Sequence, residues 1–385
     1  MNNCPAEAQG FSRPISDLEP GELPEGTAFR PLSVVEGVAL RDEALLVNVD
    51  GERHRADVLD EIPDDAEVQA RPTYAVVNEW RDWFDGYRNS HIEYETAEGE
   101  VARSKLENSY QPEYGRRYYA KLKDLERGVE REWDDLTTVM LTLSASSENA
   151  KGGRRCPADH MREIADGWDT ARKALYRVLD GFRWEYARVW EPHKSGYGHL
   201  HVAVFVDDRR GELGEEMFRP VMRTYVDRVG PAGSEAHGLD RVGLGDAVSM
   251  NREVQNLGTY ISEYVGIFGT EPTERPVSEQ MFYATCWATQ TRRLDFSNGA
   301  QDIIAREHFR RETGLRPEDR GGDGFEAWRG GDVSGGESDE GGQWQVRAIC
   351  TVRGREPTFS DPTAGGTRLT PIDGRTGVDP PPERY

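Results

Sequence analysis

Residues 196–206 read Gly-Tyr-Gly-His-Leu-His-Val-Ala-Val-Phe-Val and contain two histidines one residue apart. Side chains alternate between the two faces of a β-strand, so His199 and His201 share one face. The apolar residues at positions 200, 202, 204 and 206 share the other face and predict that the strand is buried. Because two imidazoles on one face lie close enough to hold one ion, the stretch predicts a metal site.

A carboxylate, Glu191, precedes His199 by eight residues. Residues 183–190 are rich in aromatic and β-branched side chains and predict a strand. The five residues after Glu191, Pro192-His-Lys-Ser-Gly196, have the composition of a turn. The two strands therefore predict an antiparallel hairpin that places Glu191 nearly opposite His199. His193 is an alternative ligand, although its position in the turn favours exposure to solvent.

Two neutral imidazoles and one carboxylate suit Mg²⁺, Mn²⁺ or another first-row divalent ion. Such a ligand set leaves coordination positions for a substrate oxygen. A single histidine on a strand is usually structural, but two on one face with a carboxylate across a hairpin favour metal binding.

A second motif lies downstream, where residues 256–268 read Asn-Leu-Gly-Thr-Tyr-Ile-Ser-Glu-Tyr-Val-Gly-Ile-Phe. Its apolar residues recur at helical spacing. Tyr260 and Tyr264 are four residues apart and share one face of the predicted helix. Paired tyrosines on a helix more often pack in a core than act as nucleophiles, and the metal hairpin upstream favours the catalytic interpretation. A third motif, residues 138–146, predicts a buried strand ending in small hydroxyl residues.

In chain order the three motifs are the strand at 138–146, the histidine hairpin and the tyrosine helix, and in this order they resemble those of the HUH endonucleases, specifically the rolling-circle replication initiators. The resemblance covers roughly residues 135–270 and includes the strand Leu141-Thr-Leu-Ser144. The two tyrosines are similar to those of the two-tyrosine branch. The resemblance implies a ferredoxin-like or RNA-recognition-motif-like core with the metal on the exposed face of the central strands and the tyrosine helix against that face.

The resemblance also implies an activity, namely metal-dependent cleavage of single-stranded origin DNA. Tyr260 or Tyr264 would become joined to the 5′-phosphate and leave a free 3′-OH as primer, and the other tyrosine would make the resolving cut. We favour Tyr260 for initiation because it aligns with the position usual in one-tyrosine members. The implied cofactor is Mg²⁺ or Mn²⁺, with Glu191, His199 and His201 as ligands.

The charge of the chain indicates its setting. It has 385 residues, 70 acidic and 48 basic, and a net charge of −22. This acidity means either that the protein binds no nucleic acid or that it works in molar salt, where charges are screened within ~3 Å. Scarce lysine and abundant acidic residues are typical of a halophilic archaeon, which favours the second interpretation and a haloarchaeal plasmid or virus.

Basic residues are concentrated near the metal hairpin. Residues 151–194 contain ten Lys or Arg and seven Asp or Glu, whereas residues 317–341 contain two and eight. We therefore predict DNA contacts from this basic stretch, although a solvated helix face would have the same composition. The predicted contact residues are Lys151, Arg154, Arg155 and Lys194.

The fold class predicted is α+β, with an antiparallel sheet, helices on one face and flexible acidic termini. Residues 1–70 are predicted to be weakly structured or a small β element, and residues 72–135 a helical extension. Residues 136–312 would form the endonuclease domain, and residues 313–385 a mostly disordered acidic tail in which residues 343–352 could form a strand. Within the domain, a helix is predicted to begin at Pro157, and residues 276–312 are predicted to be helical.

The partners follow from what the sequence contains and lacks. No signal peptide or membrane span is recognisable, and the four cysteines show no zinc-ligand spacing, which favours free thiols in a reducing, high-salt cytoplasm. The sequence has no Gly-x-x-x-x-Gly-Lys-Ser/Thr motif. We therefore expect single-stranded origin DNA, a host helicase and the replication machinery as partners, and no membrane.

Two other functions fit the motifs. A relaxase or a rolling-circle transposase would share the HUH chemistry, and flanking DNA rather than this sequence would distinguish them. A 2-His-1-carboxylate metalloenzyme or a non-catalytic metal-binding module belongs to another class. Oxygenase triads usually combine a His-x-carboxylate pair with a distant histidine, which differs from the spacing of Glu191, His199 and His201.

Overall fold

A computed structural model describes residues 40–41, 44–59, 61–64, 66–71, 73–88, 90–95, 101–105, 108–148, 152–251, 271–316 and 345–350. The helices of this part are α1 (Thr73–Tyr87), α2 (Pro112–Glu132), α3 (Pro157–Val178), α4 (Arg219–Arg228), α5 (Val277–Ala288) and α6 (Asn298–Thr313). The strands are β1 (Leu45–Val49), β2 (Glu52–Arg55), β3 (Glu67–Ala70), β4 (His91–Glu95), β5 (Val101–Lys105), β6 (Leu136–Leu143), β7 (Arg183–Pro192), β8 (Gly198–Asp207), β9 (Val248–Asn251), β10 (Leu294–Phe296) and β11 (Gln345–Cys350).

The central sheet has five strands in the order β10-β7-β8-β6-β9, and every neighbouring pair is antiparallel. Strand β8 lies in the middle and is buried at all ten positions. It pairs with β7 as a hairpin, in which Glu191 lies directly opposite His199. The predicted α+β class, antiparallel sheet and hairpin are confirmed.

One face of this sheet is covered by α3. The helix begins at Pro157, as predicted, because the first helical position needs no backbone N–H. Its buried apolar side chains belong to the same core cluster as those on one face of β6 and β8, and each large side chain buried there contributes about 1.5–3 kcal/mol. Helix α4 packs closely on α3 at Gly167, where a Cβ would lie 2.3 Å from the Cγ2 atom of Val229.

The opposite face is covered by α2 and α6, which differs from the prediction that helices pack on one face. Beyond the two histidines along β8, this face carries the apolar side chains of Met140, Ala187, Ala203 and Phe205. These side chains need cover from water, and α2 and α6 provide it with apolar residues such as Leu125. The histidines lie at the other end of this face.

The N-terminal part contains more strands than predicted. Strands β1, β2 and β3 form a small antiparallel sheet, which agrees with the predicted β element. The range predicted as a helical extension contains α1 and α2, but β4 and β5 form a hairpin between them. Strand β11 confirms the predicted strand near the C-terminus and pairs with β4. Likewise, β10 interrupts the range 276–312, which was predicted to be helical throughout.

Helix α1 joins the main core through aromatic side chains. Trp80 is fully buried, and its ring centroid lies 5.9 Å from that of Tyr283 on α5. Cys156 and Cys286 are buried free thiols, as predicted for those two cysteines. No helix in the described ranges has the length and apolar character needed to cross a bilayer.

The turn of the β7–β8 hairpin depends on Gly196, which adopts φ +81°. A Cβ on this residue would lie 2.6 Å from both the Ser278 carbonyl oxygen and the Met281 Cε atom. Gly181 adopts a similar φ of +85°, but a Cβ there would meet no atom within 4 Å.

We expect Gly181→Ala to lower the free energy of unfolding by about 1 kcal/mol through its positive φ alone. Gly196→Ala should lower it by about 1–3 kcal/mol more, since the methyl group also displaces packed atoms. Chemical unfolding of both variants in the same molar KCl buffer measures the difference. Equal losses would show that the turn tolerates a side chain.

Candidate metal centre

Three side chains converge at the end of the β7–β8 hairpin. The Oε2 atom of Glu191 lies 3.3 Å from the Nε2 atom of His199 and 2.9 Å from the Nε2 atom of His201. The two Nε2 atoms are 2.8 Å apart. Across the described ranges, these three residues are the only group of His, Cys, Asp or Glu whose possible ligand atoms all lie within 4.8 Å of one another.

These distances fit a small divalent cation. Ligands at ~2.1 Å from an octahedral ion are ~3.0 Å apart when they occupy adjacent positions. The three donor atoms are separated by 2.8–3.3 Å and could therefore occupy one face of such an ion. Two imidazole nitrogens and one carboxylate oxygen are a donor set for Mn²⁺, Mg²⁺ or another first-row ion.

The protonation states also suit metal binding. Burial raises the pKa of Glu191, but hydrogen bonds from His199 and His201 outweigh it and lower the pKa to about 2. Burial lowers the pKa of His199 and favours the neutral imidazole. A carboxylate and a neutral imidazole are the forms that bind a cation.

Thr142 orients one of the ligands. Its Oγ1 atom lies 3.2 Å from the Nδ1 atom of His201, and the two residues are paired across β6 and β8. A cation at the triad would replace the hydrogen bond from His201 to Glu191 and would need the tautomer with its proton on Nδ1, which can donate to the Thr142 hydroxyl and leaves the lone pair of Nε2 free to bind. Such a partner fixes the tautomer and the ring orientation of a histidine ligand.

A buried histidine supports the start of β8. The Nε2–H group of His160, on α3, donates to the carbonyl oxygen of Gly198 over 2.8 Å. Burial lowers the pKa of His160 to about 4, so it stays neutral. The hydroxyl group of Tyr197 donates to the carbonyl oxygen of Arg155 over 2.5 Å. Both bonds hold the residues that precede His199 in place.

Comparison with known proteins identifies the family. The model of the family described as “Putative rep protein (DUF1424)” matches residues 46–324. The chain belongs to this family. It is 38% identical over 263 residues to an uncharacterized 36 kDa protein of Halobacterium salinarum, and the match covers 66% of this chain and 79% of the relative.

A second relative agrees with the first. An uncharacterized 36 kDa protein of Halobacterium sp. (strain GN101) is 34% identical over 273 residues, which is 65% of this chain and 81% of the relative. No solved structure matches the chain. The family description and the organisms of both relatives agree with a replication protein of halophilic archaea.

The residues predicted to contact DNA have different environments in this DUF1424 protein. Arg155 is buried, and its guanidinium group pairs with Glu163 and donates to the carbonyl oxygen of Ser146 over 3.1 Å. Arg154 lies nearby and donates to the Ser147 hydroxyl over 3.0 Å. The basic composition of this stretch could not indicate that Arg155 is committed to an internal ion pair.

The other two predicted contacts lie at or before the hairpin. Lys194 is exposed in the turn, beside the metal ligands in sequence. His193 is exposed in the same turn, as expected, with its ring centroid 4.0 Å from that of His199. Lys151 lies outside the described residues.

Tyr260 and Tyr264 also lie outside the described residues, so their distance from the metal ligands stays a prediction. The last described residue before them is Asn251 on β9, and Asn251 pairs with Thr138 on β6. Thr138 and Thr142 are four residues apart on one strand, or ~13 Å. Nine residues lead from Asn251 to Tyr260 and span up to ~30 Å when extended. The chain is therefore long enough to bring Tyr260 to the triad.

Two positioning residues were missed from the sequence. Thr142 is part of the predicted first strand, and pairing that strand with the histidine strand in register would have identified it. His160 carries no comparable signal, because its partner is a backbone carbonyl 38 residues away.

Thr142→Val removes the hydroxyl group beside His201 with little change of shape. We expect Mn²⁺ to bind about 10-fold more weakly, since the histidine loses the partner that fixes its tautomer. Thr138→Val is the matched control, because Thr138 lies on the same face of β6 and its buried hydroxyl has no hydrogen-bond partner. Titration calorimetry with Mn²⁺ measures both variants. Similar affinities for the two would contradict the role of Thr142.

Proposed function

We propose that this chain is an HUH-type initiator of rolling-circle replication that nicks single-stranded origin DNA. The convergence of Glu191, His199 and His201 within hydrogen-bond distance of one another carries the proposal. The family description supports the biological role. The order of the strand, metal and tyrosine motifs supports the chemistry.

Tyr260 and Tyr264 are the proposed nucleophiles. The Oη atom of the first tyrosine attacks the scissile phosphorus and forms a P–O bond, while the bond between phosphorus and the 3′-oxygen breaks. The phenol proton passes to solvent, and the departing 3′-oxygen gains a proton and becomes the primer hydroxyl. The second tyrosine repeats the exchange when the displaced strand is resolved. No net hydrolysis occurs, because each phosphodiester bond is replaced by another.

The triad would hold Mg²⁺ or Mn²⁺, which supplies positive charge that offsets the charge developing on the phosphate. Glu191 would be the anionic ligand, and the imidazoles of His199 and His201 would be the two nitrogen ligands. Thr142 keeps His201 in the orientation needed for binding. Lys194 in the exposed turn is the predicted DNA contact nearest the triad in sequence, and Lys151 and Arg154 are the further candidates.

The proposal also includes the cellular partners and the high-salt environment of the protein. A host helicase would separate the strands, since the sequence lacks a Gly-x-x-x-x-Gly-Lys-Ser/Thr motif. The acidic composition and the organisms of the relatives support work in a high-salt cytoplasm. A relaxase or transposase would use the same residues, and inverted ends or transfer genes beside the gene would distinguish these from a replication initiator.

The arrangement of the three ligands also fits a second class of function. Three ligands on one face of an ion are also the arrangement of 2-His-1-carboxylate oxygenases. In that case, turnover would require Fe²⁺ and O₂, and no DNA adduct would form. A non-catalytic metal-binding module would bind Mn²⁺ without either reaction.

The tyrosine prediction is tested with labelled single strands of the protein's own replicon in molar KCl and Mn²⁺. We expect a protein–DNA adduct on a denaturing gel, which Tyr260→Phe with Tyr264→Phe abolishes because the phenol oxygen is the nucleophile. Tyr176→Phe is the control, since Tyr176 is an exposed residue of α3 on the opposite side of the sheet. Loss of the adduct in Tyr264→Phe but not in Tyr260→Phe would assign initiation to Tyr264.

The metal prediction uses the same assay. His201→Ala and removal of the metal with a chelator should each lower the nicking rate by more than about 100-fold, a loss of about 3 kcal/mol in transition-state stabilisation. His54→Ala, on β2, is the matched control and should nick at the wild-type rate. Wild-type nicking by His201→Ala in the presence of chelator would exclude metal-dependent cleavage.

A further inference from the structure

Arginines are concentrated where α2 and α6 meet the first residue of β7. We call this group the arginine array, and it consists of Arg127, Arg131, Arg183, Arg306, Arg310 and Arg311. Three carboxylates lie among these six guanidinium groups, namely Asp124, Glu132 and Glu307. These nine side chains together carry a charge of +3, whereas the net charge of the chain is −22.

The carboxylates lie beneath the arginines. The side chains of Asp124, Glu132 and Glu307 are 2%, 15% and 6% exposed. In contrast, the side chains of Arg127, Arg131 and Arg183 are each at least 50% exposed. The acids therefore form an inner layer, and part of each outer guanidinium group stays open to solvent.

Each carboxylate holds more than one arginine in place. Glu132 lies 3.1 Å from Arg183 and 2.8 Å from Arg306. Asp124 lies 3.0 Å from Arg311 and 3.4 Å from Arg127, and Glu307 pairs with Arg131 and Arg310 in the same way. A guanidinium group has five N–H donors, so an ion pair leaves others available. Because the inner acids fix the side chains, little conformational entropy is lost when a ligand binds.

The chemistry of the array suits phosphate in concentrated salt. Charges act over only ~3 Å in molar salt, so binding must rely on direct hydrogen-bonded contacts. Arginine makes two parallel hydrogen bonds to a phosphate, whereas lysine acts as a point charge. The chain contains 42 arginines and only six lysines, and the array uses arginine throughout.

The shape of the array favours duplex over single-stranded DNA. Binding of single strands usually requires exposed aromatic rings on which bases stack. The aromatic ring within the array, Trp133, is buried, and the guanidinium group of Arg183 lies over it at 5.3 Å from the ring centroid. Backbone contacts without stacking are typical of duplex binding.

We propose that the arginine array binds the phosphate backbone of duplex DNA that adjoins the cleavage site, an inference that rests on the proposed nicking function. Arg183 and Glu191 lie at opposite ends of β7, eight residues or ~26 Å apart. Duplex DNA rises 3.4 Å per base pair, so this distance corresponds to about eight base pairs. Helices α2 and α6 pack on the face of the sheet that carries the histidines, so the array and the triad lie on the same side of the sheet.

The test variant is Arg127→Gln with Arg131→Gln and Arg183→Gln. Every inner carboxylate keeps a partner in it, because Arg311, Arg310 and Arg306 remain. The matched control is Arg88→Gln with Arg172→Gln and Arg228→Gln, which removes the same charge from exposed ion pairs on or beside α1, α3 and α4. Circular dichroism establishes that both variants are folded in each buffer.

The probes are a fluorescein-labelled duplex of about 30 base pairs with arbitrary sequence and its single strand, with KCl from about 0.5 to about 2 M and a chelator present. For the test variant, we expect the slope of log K against log salt for the duplex to become shallower by about 2–3. Duplex affinity at the lowest salt should fall about 5–10-fold, which follows from about 0.9 counterions per lost contact. The control variant and binding of the single strand should change little.

Unchanged duplex binding and slope in the folded test variant would overturn the proposal and leave the array as an ion-pair network that joins α2 and α6. An equal loss in the control variant, or a loss confined to the single strand, would overturn it as well. Because the assay contains a chelator, it is independent of nicking. Duplex binding that depends on the array, together with no covalent adduct in the separate nicking assay with Mn²⁺, would refute the proposed nicking function alone.

Discussion

The alternation of side chains along β8 is the constraint on which the rest of the structure depends. All ten residues of this strand are buried, so neither face can be left to water. Leu200, Val202 and Val204 pack on the α3 side, whereas His199 and His201 lie on the other side. A slip of one residue in register would move both imidazoles into the apolar core. The cost of burying such unpaired polar groups is about 1–3 kcal/mol each, which fixes the register.

The same register builds the metal centre without any loop rearrangement. Pairing of β7 with β8 places Glu191 opposite His199, and pairing of β6 with β8 places Thr142 opposite His201. Ligands held on paired strands are ordered before a cation arrives. The pKa of Glu191 is lowered to about 2, mainly because both histidines hydrogen-bond to it against the effect of burial, so the carboxylate is ionised at neutral pH. The site is therefore organised by backbone pairing and by its own electrostatics.

The parts of this architecture that arise from local sequence periods could be predicted. A strand has a period of two, and the histidines, Glu191 and the turn between them all lie within one hairpin, so register could be inferred from the sequence alone. The second helical layer could not, since α2 precedes the sheet and contacts α6, which lies about 180 residues away in sequence. The burial of Arg155 was hidden for a related reason. Its basic character was visible, but its pairing with Glu163 depends on how the chain before α3 folds back, where the backbone N–H of Arg155 donates to the carbonyl oxygen of Ser147.

The acidic composition and the proposed interaction with DNA are compatible once screening is considered. In dilute salt, a net charge of −22 would repel a polyanion from every direction. In molar salt, both the repulsion between acidic side chains and DNA phosphates and the attraction between basic side chains and those phosphates are negligible beyond ~3 Å. What distinguishes one surface from another is then the number of direct hydrogen bonds it can offer to a phosphate. Among surfaces with described side chains, the arginine array offers fixed guanidinium groups above buried acids, and the triad offers a cation site on the same face of the sheet. The path of the DNA would accordingly be set by these contacts, while the remaining acidic surface serves solubility in salt.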